Sequence, residues 1–173
     1  MGVDDVESIM EGLLRQHRGA EAMLVKLAAG VGRVRQEGVK GSGVLDDLVD
    51  LRREIQGEVL SHFREEEQAL FPVLGRHIDS ASGPIAMLME EHAIFRQLEL
   101  QFEEAVAALE AGHGDGWEEK ACDAGDSIAR LLPGHIEKEE SVLFPLAEEA
   151  LSAEEWDQVR QLWKEALDAV LPT

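Results

Sequence analysis

Eleven residues of this chain occur twice on the same polar skeleton. His62-Phe-Arg-Glu-Glu-Glu-Gln-Ala-Leu-Phe-Pro72 aligns without a gap on His135-Ile-Glu-Lys-Glu-Glu-Ser-Val-Leu-Phe-Pro145. In each copy a histidine is followed by glutamate four residues on, and Leu-Phe-Pro closes the segment. Upstream of each lies a second histidine with a polar neighbour, Gln16-His17 and Glu91-His92, offset by 45 and 43 residues. A chain built this way consists of two similar hairpins, too few for a solenoid and enough for one bundle.

The apolar periodicity is helical nearly throughout, with no alternation long enough for a strand. Asp4 with Glu7 is a capping-box pattern that opens a first helix from about Asp5 to the mid-30s, and Gly38, Gly41 and Gly43 end it. A second helix runs from about Val44 to Phe71-Pro72. Ser82-Gly83-Pro84 opens the third, with proline in a tolerated first-turn position. Gly112, Gly114 and Gly116 close it, Asp115 and Glu118 cap the fourth, and the fourth continues to about Phe144-Pro145. Ser152 with Glu155 marks a short fifth helix ending near Val170. The expected fold is all-α: an up-down four-helix bundle over about 5–147 with a short extra C-terminal helix over about 152–170, in one domain spanning 1–173.

Each bundle helix carries an apolar stripe at spacings of three and four. The first reads Val6, Met10, Leu13, His17, Ala20, Leu24, Leu27, Val31. The second reads Leu48, Ile55, Val59, His62, Glu66, Leu70, Val73. The third is Ile85, Leu88, His92, Phe95, Glu99, Phe102, Val106, Leu109, and the fourth Ile128, Leu132, His135, Glu139, Val142, Leu146. All four are interrupted by histidine, and two by glutamate one turn later on the same face. Counted from the glycine turns, the four histidines lie 21, 19, 20 and 19 residues away. At about 1.5 Å per residue their depths agree within roughly 3 Å. Burying unpaired carboxylates costs several kcal/mol each, and two together repel. A cation makes such a layer tolerable.

Imidazole and carboxylate without thiolate suit iron, manganese or zinc. A closed structural zinc site needs four ligands. Six donors on four helices fit two metals better, and if Glu66 and Glu139 bridge, each metal keeps an open position. Iron is the expected metal, because open His/carboxylate sites in bundles serve oxygen chemistry.

The order His, His-x-x-x-Glu, His, His-x-x-x-Glu, with Leu-Phe-Pro after both pairs, resembles the hemerythrin-like family of HHE cation-binding domains from about Asp5 to Pro145. The resemblance implies the iron ligands His17, His62, Glu66, His92, His135 and Glu139, with two irons, oxo- or hydroxo-bridged, and Glu66 and Glu139 as bridges. Oxygen carriers of the family have a further histidine where this chain has Arg96, and end in His-x-x-x-x-Asp, a spacing that Glu140 rather than Glu139 occupies. The duplicated pattern favours Glu139. The missing histidine argues against plain oxygen carriage and leaves the two irons coordinated nearly alike.

Around the site, Glu21 lies one turn from His17, where it could add a ligand. Glu99 lies about 10 Å along its helix from His92, too far for ligation beside it, and reads as a boundary carboxylate. His77 and His113 read as exposed, and the acidic runs around Glu65 and Glu137 as solvated faces apart from the ligands. No tyrosine offers a phenolate. The tryptophans fall outside the histidine layer. The last helix has an apolar edge, Trp156 to Val170, expected to cover the bundle of a monomer, with dimerisation as the alternative.

With 36 acidic against 16 basic residues the net charge is −20, which disfavours nucleic acid or an anionic membrane as partner. No apolar run approaches a membrane span, the start has no signal-peptide pattern, and one cysteine makes no disulfide, so a cytoplasmic setting is expected. The functional expectation is a di-iron protein that binds or consumes a small oxidant (hydrogen peroxide, dioxygen or nitric oxide) under oxidative or nitrosative stress, with catalase-like turnover as its enzymatic form. The alternatives are a non-catalytic oxygen or iron store or sensor, and a metal that only stabilises the bundle.

Overall fold

A computed structural model describes residues 3–40, 43–114 and 116–168, apart from the side chains of 3–8 and 168. The expected Asp4–Glu7 capping box, Val6, Gly41, Asp115 and the helix end at Val170 lie outside that description. Among the described residues every regular element is helical. Helix α1 is Val3–Glu37, α2 covers 44–74, α3 is Pro84–Glu110, α4 covers 117–150 and α5 is Ala153–Asp168. The first four form the up-down bundle, α1 and α3 each packing against α2 and α4. Helix α1 approaches α4 closely at Gly125, where a Cβ would meet Val31 Cγ2 at 2.8 Å.

Two apolar cores fill the bundle, one on each side of the histidine layer. At the end holding the α1–α2 and α3–α4 turns, Met23, Leu27, Leu48, Ile55, Phe63, Phe95, Phe102 and Ile128 are buried together. At the opposite end Leu13, Leu70, Phe71, Leu74, Leu88, Leu143 and Phe144 pack with Trp156 and Val159 of α5. Helix α5 therefore covers the bundle, and it packs directly on the Glu66–Leu70 turn of α2. Ser152 and Glu155 form the expected reciprocal cap, with Ser152 N–H donating to Glu155 Oε2 at 2.9 Å and Glu155 N–H to Ser152 Oγ at 3.4 Å.

Both copies of the repeat share one distortion. At Glu66–Leu70 and Glu139–Leu143 the helix widens into a π-turn, so Phe71 N–H donates to Glu66 O and Phe144 N–H to Glu139 O. The prolines that follow lack an N–H and would collide with the carbonyl four residues back in a regular helix. A widened turn just ahead of each relieves that conflict, and such turns recur at functional sites.

Several expectations need correction. The extra residue of the second π-turn rotates the stripe of α4, so Leu143, Phe144 and Ala147 are buried while Val142 is 43% exposed. Helix α4 also continues past Pro145 to Ala150, because the widened turn absorbs the proline. Glu118 does not cap α4; it accepts the Val39 N–H at 3.0 Å and ties down the turn after α1. Glu99 is buried rather than a boundary residue, and Gln56 Nε2 donates to it at 2.9 Å.

Candidate metal centre

All four histidines and both glutamates of the repeat are buried in one layer, each 5% exposed or less. The rings are paired across the bundle. His17 Nε2 lies 3.1 Å from His62 Nε2, and His92 Nε2 lies 3.1 Å from His135 Nε2. Glu139 spans both pairs, with Oε2 3.0 Å from His17 Nε2 and Oε1 3.0 Å from His135 Nε2. Glu66 does the same, with Oε1 3.6 Å from His62 Nε2 and Oε2 3.5 Å from His92 Nε2. Two groups result: His17, His62, Glu66 and Glu139, and Glu66, His92, His135 and Glu139. Within each, one ligand atom per residue lies within 4.8 Å of every other. The two glutamates belong to both.

The outward ring nitrogens fix the tautomers. His17 Nδ1 faces Glu140 Oε1 at 2.8 Å, His92 Nδ1 faces Glu67 Oε1 at 2.7 Å, and His135 Nδ1 faces Glu91 Oε2 at 3.0 Å. Carboxylates accept, so these nitrogens donate. His62 Nδ1 faces Gln16 Oε1 at 2.8 Å, while the amide nitrogen of Gln16 donates to Glu65 Oε2 at 2.8 Å. That Nδ1 donates as well. In the neutral rings every Nε2 therefore carries a lone pair, and the lone pairs face one another across 3.1 Å.

Among the described residues, the four carboxylate oxygens of Glu66 and Glu139 are buried side-chain atoms without a hydrogen-bond partner. Unpartnered buried oxygens facing unpartnered nitrogens are unfavourable for each other and favourable for a cation. The electrostatics of the layer agree. Burial, with Glu139 beside it, pushes Glu66 well above the usual carboxylate range. Burial opposes ionisation of Glu139 too, but the imidazoles of His135, His17 and His62 beside it hold it well below. Burial works against a charged His17, yet Glu139 and Glu140 raise it. Burial lowers His62 and His92. The donor set fits metal ions, and its division into two groups fits two.

The structure brings together every residue the repeat singled out. Glu21 is exposed and belongs to neither group. Arg96 turns outward and donates from Nη2 to Glu67 Oε2 at 2.9 Å, so the third helix contributes one histidine. His77 is exposed but faces Glu155 Oε1 at 2.6 Å, and His113 is exposed. Sequence reasoning missed the orienting residues. Glu67, Glu140 and the buried Glu65 are not merely solvated, and Gln16 and Glu91 each hold the histidine of the facing helix. The signal was present: a polar residue precedes His17 and His92, and a glutamate follows each bridging candidate. Carboxylate and carbonyl partners of this kind fix ring orientation and raise ligand basicity.

A small cleft reaches the layer from one side, lined by His17, Ala20, Glu58, Val59, His62 and Ile136 among others, with about 10 Å³ of free volume for the centre of a water-sized molecule. That is about the space one water molecule needs, which matches a ligand of very few atoms. Among the described residues no helix is long and apolar enough to cross a membrane.

Comparison with known proteins accords with this geometry. The family model described as "Hemerythrin HHE cation binding domain" matches residues 8–147 and again 83–171. The iron-sulfur cluster repair protein YtfE of Yersinia pseudotuberculosis is 37% identical over 94 residues, 52% of this chain and 42% of that protein. The iron-sulfur cluster repair protein DnrN of Neisseria gonorrhoeae is 27% identical over 149 residues, 80% of this chain and 87% of its own length. The chain thus matches less than half the length of the Yersinia relative. No solved structure matches at the same stringency. With a paired His/Glu layer on a duplicated helical hairpin and a family match over most of its length, the chain belongs to the hemerythrin HHE cation-binding domain family.

Proposed function

We propose that this chain is a non-haem di-iron protein that binds or consumes a small oxidant, such as nitric oxide, hydrogen peroxide or dioxygen, in the protection or repair of iron-sulfur clusters. The observation that carries the reading is the division of six buried donors into two groups that share both glutamates. His17 and His62 would hold one iron, His92 and His135 the other, with Glu66 and Glu139 bridging. Bound there, an iron pair supplies joint redox chemistry and open coordination positions to a small ligand.

The protein's own groups support that role in definite ways. Glu67, Glu91, Glu140 and Gln16 hold Nδ1–H of the four rings and aim every Nε2 inward. Phe63, Phe71 and Phe144 stack against His92 and His17 and exclude water from the layer. The narrow cleft selects ligands by size. Arg96, where an oxygen carrier has a histidine, pairs with Glu67 and leaves both groups with two imidazoles, which favours shared chemistry over storage at one ion. The names of the two relatives supply the repair context, and the cleft's size supplies the ligand class.

The test is the iron-loaded protein in a stirred cell with nitric oxide and oxygen electrodes. We expect consumption of nitric oxide or evolution of oxygen from hydrogen peroxide, abolished in His92→Ala. Inertness to both, together with repeated reversible oxygenation followed by absorbance, would replace this reading with carriage.

A further inference from the structure

The halves of the layer are alike in their ligands and differ in what surrounds them. Superposing the repeats sets His17 against His92 and His62 against His135. The same register sets Ala20 against Phe95 and Ile136 against Phe63. Phe63 stacks on His92 with ring centroids 3.8 Å apart, meets His135 edge-on at 5.1 Å, and is itself backed edge-on by Phe95 at 5.1 Å. Both phenylalanines are buried. Over His17 and His62 the smaller pair leaves space, and the cleft opens there, lined by both of these histidines, Ala20, Ile136 and the exposed Glu58; of the other pair it touches His135 and not His92.

Charge follows the same division. Behind His92 and His135, Glu67 is paired with Arg96 at 2.9 Å and Glu91 with Lys138 at 2.6 Å. In the other half Lys138 is replaced by Glu65 and Glu91 by Gln16. Among the described residues, neither Glu65 nor Glu140 forms an ion pair with lysine or arginine. One approach to the layer is apolar, filled and flanked by cations. The other is open, with the exposed carboxylate of Glu58 at its mouth, a charge that favours the approach of cations.

We propose, building on the two-ion reading, that the ion held by His17 and His62 is the exchangeable one. It enters and leaves through the cleft at Ala20, Glu58 and Ile136, while the ion at His92 and His135 is retained behind Phe63 and Phe95. Ligand number does not distinguish the positions; access does. The chain would then hold one resident ion and one that equilibrates with its surroundings.

The experiment loads the full chain with Co(II) to saturation, adds excess chelator and follows release by absorbance. Two phases of one ion each are expected, their rates separated by at least about tenfold, the lower end of what local fields do to ion access. Glu58→Lys, at an exposed position that does not threaten folding, should slow the fast phase severalfold at low ionic strength and less in high salt. Ala20→Leu should slow it at every ionic strength, and Phe95→Ala should accelerate only the slow phase. Release of both ions in one phase would overturn the proposal, as would a fast phase indifferent to both Glu58→Lys and Ala20→Leu. Saturation at one Co(II) per chain would instead defeat the two-ion reading on which it rests.

Discussion

Phe95, Phe102, Val106 and Ile128 fill the core on one side of the histidines, and among the described residues no buried side-chain nitrogen or oxygen there lacks a hydrogen-bond partner. One turn away, Glu66 and Glu139 are as deeply buried, yet all four of their carboxylate oxygens lack a hydrogen-bond partner. The apolar layers hold the helices together, and the polar layer works against them until a cation arrives. Stability and function are thus carried by different floors of one bundle, and the two should respond oppositely to substitution.

The largest effect belongs to the apolar floor. Phe102→Ala removes a 1%-exposed ring and should cost about 3–5 kcal/mol in urea unfolding, with or without metal. A loss seen only in the metal-loaded protein would blur the division. The polar floor should behave the other way. Glu66→Leu should abolish binding of both ions, yet leave the metal-free variant at least as stable as the metal-free parent, by up to about 1–4 kcal/mol, because a buried unpartnered carboxyl disappears. Paired melts of the chelated proteins check this, and a metal-free variant melting well below its parent would contradict it.

The smallest effect lies outside both floors, at the start of α5. Glu155 accepts the Ser152 N–H and faces the His77 ring, and these hold its carboxyl down to about 2 from the ordinary 4.5. A depressed carboxyl contributes its stability above the unfolded value, near pH 4.5, and loses it as pH falls toward 2. Glu155→Gln should therefore lower the melting temperature slightly at pH 6, and the difference should vanish at the acid end of that window. The group lies half-buried at the surface, where solvent screening keeps the effect small.

The same division accounts for what was legible from sequence. Every residue assigned to the stripe of α3, from Ile85 to Leu109, is buried, because an uninterrupted α-helix keeps its period. In α4 the stripe was right as far as Glu139 and wrong at Val142. Pro145 announces a distortion, but not that the turn ahead of it gains a residue. The six ligand candidates were legible because carboxylates buried at matched depth in both repeats need positive charge, and the imidazoles beside them can share a cation. Their orienting partners were not, since whether Glu91 meets His135 or solvent depends on how α3 and α4 are rotated about each other. Glu99 was misread for the same reason: Gln56, its partner, stands on another helix. Nor does the repeat itself reveal that Ala20 faces an opening where Phe95 faces a filled space.

Shared bridging is tested most directly by iron stoichiometry combined with Mössbauer spectroscopy on protein reconstituted with ⁵⁷Fe, because the shared glutamates tie the two groups together. About two irons per chain are expected in the parent, magnetically coupled, with loss of both in Glu66→Leu and in Glu139→Leu. One iron per chain at saturation, or two uncoupled irons of which one survives at full occupancy in either variant, would contradict shared bridging.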